Sequence, residues 1–576
     1  MMTRRRIGVL TAVIAADVLA APMSVREFMR MSPPPRLRWW EQSVIYQIYP
    51  RSYRDTTGNG VGDLPGIIEK LDYVEALGVD TIWLSPIFAS PMKDFGYDVS
   101  DYIDIHPDFG TLETVDELID QAHQRGLRLL LDFIPNHTSD QHAWFLESES
   151  SQESSKREWY VWRDAAPDGG PPNNWLSYFG GPAWAWHEDT QQYYLQSFLK
   201  EQPDLNWRNP EVVEAMRSVL RFWLDRGVDG FRVDAVLPVI KDDVFRDNPP
   251  WTEAGFGKDT GSSGDQLRIY NENRPELHGI LRDMRALVDV YPGDRLLLGE
   301  VYSLDPSIAA HYYGRNDEFQ LVLNVSLVNL PWKASKMRHY VEAFEDALPS
   351  GAQATLVLGS HDEPRLASRW GEAQARVAAV MLLTLRGTPI IYYGDEIGML
   401  DTENVGSDSL DPWPMLTGLP HLSRDASRTP MQWDDSPGAG FSTSNEGSPM
   451  PDPWLPIHPR ASEHNVAIQR TATDSIYSLH SALIELRKSS PALYRGTYRG
   501  LDDQPEGAYV YLREWVGERF AVALNFGADP CKISIPEESV GHMVLSSYLD
   551  RSGEESLTDL SLRGNEGVVI RLPRAG

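Results

Sequence analysis

The sequence predicts an α/β fold: a (β/α)8 TIM barrel with a small domain inserted after the third strand and an antiparallel β-sandwich at the C-terminal end. Two observations carry this expectation. Short apolar runs alternate with amphipathic stretches from about residue 44 to residue 489, and the runs are apolar nearly throughout, as parallel strands buried on both faces are. Three of the runs lead into a carboxylate, Asp234, Glu300 and Asp362, and the loops that follow the strands of a closed barrel gather such groups on one face. At 576 residues the chain is too long for a single core, so smaller domains must accompany the barrel.

Taken in order, residues 44–50 form the first strand and 65–77 its helix, 81–86 the second strand and 113–125 its helix, and 128–135 the third strand. Residues 136–207, rich in Pro, Gly, Ser and Trp, break the alternation and are expected to form the inserted domain. Residues 214–226 have helical periodicity, Gly227 suits the C-terminal stop, and 230–235 is the fourth strand. A second insertion, 240–274, follows it. The helix 275–290, the strand ending at Glu300, the helix 306–313, a strand within 320–328 and the helix 336–348 continue the pattern. It closes with the strand leading to Asp362, the helix 373–386, the strand 389–394, a third insertion over 400–470 and the helix 475–489. The barrel is thus divided into 39–135 and 208–490, and alternating runs such as Tyr509-Val510-Tyr511-Leu512 mark 491–576 as the C-terminal β domain.

On a strand, residues i and i+2 share a face, so Arg232 and Asp234 point the same way, and a neighbouring guanidinium holds a carboxylate ionised. Alone, that pair would be a buried structural salt bridge. With Glu300 and Asp362 in similar settings, the three acids are expected to form one site. The net charge of −30 argues against nucleic acid, whose phosphates need a basic surface. Many of the 18 Trp lie in predicted loops, where rings can serve as platforms for sugars, although core packing accounts for most aromatics. The single cysteine, Cys531, excludes an intramolecular disulfide framework. Residues 1–38, with Arg4-Arg5-Arg6 ahead of an apolar run broken by Asp17, fit either a weak secretory signal or an overlong gene start with Met31 as an alternative beginning. No other stretch approaches the roughly 20 apolar residues of a spanning helix.

The motifs at 132–137 (DFIPNH) and 230–234 (GFRVD), with Gly299-Glu300 and His361-Asp362 in register, resemble those of the α-amylase superfamily, glycoside hydrolase family 13, and the likeness covers residues 39–576. The segments 202–207 (QPDLNW), 93–98 (KDFGYD) and 428–433 (RTPMQW) are similar to the α-glucosidase and oligo-1,6-glucosidase branch. The resemblance implies a retaining, exo-acting α-glucosidase, with Asp234 as nucleophile, Glu300 as general acid/base and Asp362 as transition-state stabiliser. It further implies that Asp94, Tyr97, His137, Phe198, Gln202, Arg232, His361 and Arg428 surround the non-reducing glucose. The substrate would be a short α-glucoside of the maltose, isomaltose, sucrose or trehalose type. A transglucosylase or a sucrose or trehalose isomerase would use the same covalent intermediate. A non-catalytic transporter subunit of the same superfamily is disfavoured, because all three acids are present.

The chemistry fits these residue types. Retention needs one ionised and one protonated carboxylate about 5 Å apart. Asp234 has Arg232 beside it, and Glu300, leaving an apolar Leu-Leu-Leu-Gly run, is expected to have its pKa raised. His137 and His361 are expected to bond sugar hydroxyls rather than a metal, and Asp94 and Arg428 to pair and close the pocket behind one sugar. Ser360 stands where relatives usually carry Asn. Ala235 replaces the Val or Thr that accompanies α-1,6 or α-1,4 preference in relatives, which leaves linkage undecided. In the stretch 55–63, Asp55, Thr57, Asn59, Val61 and Asp63 place oxygen ligands at alternate positions, and on spacing alone a metal loop and a glycine-rich turn are equally open. Relatives bind Ca2+ or Mg2+ there, which implies a structural ion. No organic cofactor, nucleic-acid partner or membrane contact is expected. A monomer or homodimer in the cytoplasm is, with the periplasm or exterior as the alternative if 1–38 is a signal.

Overall fold

Eight parallel strands, buried nearly along their whole lengths, make one sheet in the computed structural model, which describes residues 37–250, 266–403, 409–443, 450–536 and 538–574. They are β1 (Ile45–Ile48), β2 (Thr81–Leu84), β3 (Arg128–Phe133), β4 (Gly230–Val233), β5 (Leu296–Glu300), β6 (Leu321–Leu323), β7 (Thr355–Val357) and β8 (Thr388–Tyr392). Their order is β6-β5-β4-β3-β2-β1-β8-β7, and Thr355 Oγ1 of β7 donates to Val322 O of β6 (2.5 Å) where the barrel closes. Register decides what meets at the mouth: Arg232 of β4 pairs with Asp132 of β3 on one side and with Leu298 of β5 on the other. Two glycines permit this packing. A Cβ on Gly230, whose φ is +155°, would lie 2.1 Å from Leu296 O, and one on Gly299 would lie 2.2 Å from the Phe319 ring.

Several elements differ from expectation for local reasons. The helix before β4 starts at Pro210, four residues early, because Asn209 caps it by accepting from Glu211 N and Pro210 supplies the first helical dihedral. The helix expected over 65–77 is two, Leu64–Glu69 and Leu71–Leu77, separated where Lys70 leaves helical dihedrals and its ammonium lies over the Trp433 ring. The strand expected within 320–328 is only three residues long, since Asn324 Oδ1 accepts from Ser326 N and turns the chain into the short helix Ser326–Asn329. Asp362 lies on a loop five residues beyond β7 rather than at a strand end.

After β3, a three-stranded antiparallel sheet (Trp162–Arg163, Gln192–Leu195, Trp184–His187) packs around Trp175 and Trp184. The C-terminal region has a six-stranded antiparallel sheet and a two-stranded one, Cys531–Ile533 with Leu560–Leu562, around a shared core that includes Val510, Leu512, Ile533 and Leu562. Its other face meets the helix Glu372–Thr384, where Thr384 Oγ1 and Tyr511 OH are 2.5 Å apart. Among the described residues no helix is long and apolar enough to cross a membrane. Residues 1–36, on which the signal or gene-start expectation falls, lie outside the described residues, as do 251–265, 404–408 and 444–449 of the second and third insertions.

Candidate active site

β4 ends at Val233 and delivers Asp234, β5 ends on Glu300, and the loop after β7 carries Asp362; all three line one cavity of about 340 Å3. Arg232 does not serve Asp234 alone. Its Nη1 bonds Asp234 Oδ1 (2.7 Å) and Asp132 Oδ1 (3.0 Å), and its Nη2 lies 2.5 Å from Glu300 Oε1. One guanidinium therefore answers three carboxylates. Burial first, and then the neighbouring acids Glu300, Asp132 and Asp362, push the Asp234 carboxyl well above its ordinary value against the pull of Arg232. This corrects the expectation that Arg232 simply holds Asp234 ionised. It also corrects the apolar setting expected for Glu300, whose Oε2 accepts from Ala235 N (3.0 Å) while Oε1 meets Arg232. Asp234 and Glu300 are thus held on adjacent nitrogens of one guanidinium, the side-by-side placement that a pair of catalytic carboxyl groups needs.

Asp362 has the opposite surroundings. Its Oδ1 meets both Arg428 Nη2 (2.9 Å) and Arg424 Nη1 (3.3 Å), and its backbone N donates to Ser360 Oγ (3.2 Å). Burial acts upward on this carboxyl, but His361, Arg424 and Arg428 outweigh it and hold the group well below the usual carboxylate range. Burial pushes His361 itself down to about 3, so the ring is neutral at pH 7 and the two guanidinium groups carry the effect. Gln47 Nε2 donates to His361 Nδ1 (2.8 Å), which leaves the Nε2 proton for Tyr97 OH (2.6 Å), and Tyr97 OH donates to Asp132 Oδ2 (3.1 Å). Ser360 thus fixes the backbone of Asp362, a role the sequence did not assign it.

The expected pair of Asp94 with Arg428 is replaced by Asp94 with Arg424, whose Nη2 reaches Asp94 Oδ1 at 3.0 Å. Arg424 is in turn clasped by buried Asp411 through Nε (2.9 Å) and Nη2 (2.8 Å). It stands four residues before Arg428, one turn earlier across the short helix Asp425–Ser427, so helical spacing from the RTPMQW motif would have found it. Asp98 holds Asp94 in place by accepting from Lys93 N, Asp94 N and Ser90 Oγ. Left-handed dihedrals flank the acids: Phe95 has φ +48° and Ala235 φ +42°, strain of the kind that gathers at functional sites.

Of the eight substrate residues expected, Asp94, Tyr97, His137, Phe198 and His361 line the cavity. Gln202, Arg232 and Arg428 do not; they are buried behind it, holding side chains that do. Burial pushes His137 down to about 4, so it too is neutral, and its Nε2 faces Tyr97 O (3.1 Å). Phe198 lies against the His137 ring (5.1 Å) and stacks on Tyr178 (4.9 Å). Tyr178, Phe179, Tyr302, Glu363 and Trp413 also line the cavity and were not singled out in the sequence, because no periodicity or motif separates them from ordinary loop residues.

Away from the cavity, Asp55 and Asp63 are both fully buried, and among the described residues neither has a cationic side-chain partner. Asp55 accepts from the N–H groups of Thr57, Gly58 and Gly60, and Asp63 from those of Thr56 and Gly66. Burial, with Asp55 adding to it, raises the Asp63 carboxyl. No group of three or more His, Cys, Asp or Glu among the described residues is arranged around a metal position. The residue types fit a hard cation, because two buried acids without a cationic side-chain partner among the described residues, with amide and carbonyl oxygens, are what such ions take.

A family model for the α-amylase catalytic domain matches residues 47–496. Maltase 1 of Drosophila virilis is 43% identical over 472 residues, which span 79% of this chain and 73% of the relative. Oligo-1,6-glucosidase of Heyndrickxia coagulans is 37% identical over 578 residues, 93% of this chain and 100% of the relative. The crystal structure of an α-glucosyl transfer enzyme, XgtA, superposes with a TM-score of 0.85 at 37% identity and covers 93% of this chain and 100% of that one. The chain belongs to the α-amylase family, glycoside hydrolase family 13. Within that family of glycoside hydrolases it falls with the α-glucosidases and oligo-1,6-glucosidases.

Proposed function

We propose that this enzyme is a retaining, exo-acting α-glucosidase that removes glucose from the non-reducing end of short α-glucosides. The observation that carries the proposal is the sharing of Arg232 by Asp234 and Glu300, through Nη1 at 2.7 Å and Nη2 at 2.5 Å. Carboxylates held on adjacent nitrogens of one guanidinium favour the short separation of a retaining pair, about 5 Å, over the roughly 6.5–9.5 Å of an inverting one. In this mechanism Asp234 attacks C1 while Glu300 protonates the leaving oxygen, and Glu300 then takes a proton from the water that releases glucose. Asp362, ionised between two arginines, offsets positive charge on the oxocarbenium-like sugar. The ion pair of Asp94 with Arg424, both of which line the cavity, supports binding of one terminal sugar and disfavours passage of a polymer. Glucose should therefore be the only early product, with much higher kcat/KM on disaccharides and trisaccharides than on soluble starch, and NMR should detect α-glucose first. Early maltose, or β-glucose first, would overturn the proposal.

Transfer of the glucosyl group to a sugar acceptor, as in a transglucosylase or an isomerase, uses the same intermediate, and the likeness to XgtA keeps that second reading in view. Product analysis at high substrate concentration separates the two. Ca2+ or Mg2+, held by Asp55, Thr57, Asn59, Val61 and Asp63, would fix the loop after β1 and take no part in the chemistry. We take the enzyme to be a monomer or homodimer acting in the cytoplasm, or beyond the inner membrane if residues 1–38 direct export.

A further inference from the structure

Where the chain leaving β3 meets the start of the second insertion lies a buried ion pair that the reaction described above does not use. Lys241 Nζ is 2.7 Å from Asp204 Oδ2 and donates to Asn136 Oδ1 (2.8 Å), and all three side chains are buried. The segments 136–138 and 203–205 run antiparallel: Leu205 N donates to Asn136 O (2.9 Å) and Thr138 N to Pro203 O (3.2 Å), which sets Asp204 beside His137. Asn136 Nδ2 donates to Asp204 Oδ1 (3.1 Å) and lies 3.2 Å from His137 Nδ1. Asp204 Oδ1 also accepts from Ser197 N (2.9 Å). The pair is thus one side chain, that of Asn136, away from His137, which lines the cavity.

The identities of the donors and acceptors fix the rest. An ammonium only donates, so Asn136 must present its oxygen to Lys241 and its NH2 group to the other side. That NH2 group faces His137 Nδ1, which must then accept, and the ring proton is left on Nε2. Two groups compete at His137 Nε2: Tyr97 O (3.1 Å), which can only accept, and the amide nitrogen of Gln202 (3.2 Å), which can only donate. The first needs the ring proton on Nε2 and the second needs it on Nδ1, so the surroundings of His137 offer a partner to either tautomer. Asn136, turned by Lys241, admits only the first. Resting on the α-glucosidase function proposed above, we infer that Lys241 and Asp204 are positioning residues for His137. They hold its proton on Nε2, so that the ring meets a hydroxyl of the terminal glucose as a donor.

The test combines Lys241→Met with Asp204→Asn, because removing both charges avoids leaving one buried and alone, and the new amide still accepts from Ser197 N. Long-range 1H–15N NMR of the full chain labelled with 15N-histidine reads the tautomer, with His137 assigned as the signal that His137→Gln removes. The wild-type enzyme should show Nε2 protonated and Nδ1 bare, and the paired variant should show both tautomers. A wild-type proton on Nδ1, or a paired variant with the wild-type pattern, overturns the inference. Kinetics on 4-nitrophenyl α-glucoside and its 2-, 3-, 4- and 6-deoxy analogues separate positioning from packing. Removing the hydroxyl that His137 holds should lower wild-type kcat/KM about tenfold, and the paired variant should shrink that one penalty below about twofold and leave the other three unchanged. A lower rate in the paired variant with all four penalties intact would mean that the ion pair only packs, which also overturns the inference. If circular dichroism shows the paired variant unfolded, Asn136→Leu takes its place, since it frees His137 Nδ1 with the ion pair whole, and the same outcomes decide. If the wild-type enzyme hydrolyses no α-glucoside, the proposed function fails, while the NMR comparison still decides whether the ion pair sets the ring proton.

Discussion

Asp234 and Asp362 are both buried acids at the mouth of the same barrel, and their surroundings push them in opposite directions. Around Arg232 one guanidinium serves Asp132, Asp234 and Glu300; Asp362 is reached by two guanidiniums, Arg428 and Arg424, the second of which also pairs with Asp94 and Asp411. Burial raises every buried carboxyl, so the ratio of cations to acids decides the outcome. Asp234 goes up and Asp362 goes down. The first cluster leaves its acids short of positive charge, and the second holds its acid ionised. The loop 55–63 extends the comparison further, with two buried acids that meet no cationic side chain among the described residues.

The comparison predicts a graded set of losses. The largest comes from removing either the nucleophile or the proton carrier: Asp234→Ala or Glu300→Gln should each lower kcat at least about a thousandfold with the fold retained by circular dichroism. Near-wild-type rates in either would break the role assigned to the Arg232 cluster. Next, Arg428→Met leaves Asp362 with one guanidinium, so its carboxyl should rise. Since Asp362 acts as an anion, kcat/KM should drop about ten- to a hundredfold at neutral pH and fall further toward acid. An unchanged acid limb would mean that Arg428 only packs.

A smaller effect sharpens the comparison from the other side. Asp132→Asn removes one of the three acids on Arg232 and so lowers the Asp234 pKa. The nucleophile must be ionised, and activity is lost as pH falls through its pKa, so the acid limb of the kcat/KM profile should move to lower pH. Movement to higher pH would show that Asp132 acts mainly through Tyr97 and His361. The smallest effect concerns the loop without a cation. EDTA should lower the Tm by on the order of a few degrees and Ca2+ or Mg2+ should restore it, because an ion bound only by the folded state stabilises it by mass action. A superimposable melting curve, with no metal in the purified protein, would return Asp55 and Asp63 to the role of turn caps that their N–H contacts already describe.

The amino-acid sequence by itself determined the eight strands and that Asp234, Glu300 and Asp362 meet at one cavity. Strand periodicity and the apolar runs are local properties, and Asp234, Glu300 and Asp362 sit within or just beyond those runs. It determined Arg232 as well, since i and i+2 on one strand must share a face. What the tertiary structure alone decided is how the cations are distributed among the acids. Arg232 reaches Asp132 and Glu300 because strand register sets β3 and β5 on either side of it, a relation between residues about 100 and 68 positions apart that no local pattern encodes. Arg424, not Arg428, meets Asp94 because one turn of a short helix and the clasp of Asp411 aim it there. Proton affinity in a buried site depends on the sum of charges within a few ångströms, and that sum exists only once the chain has closed on itself.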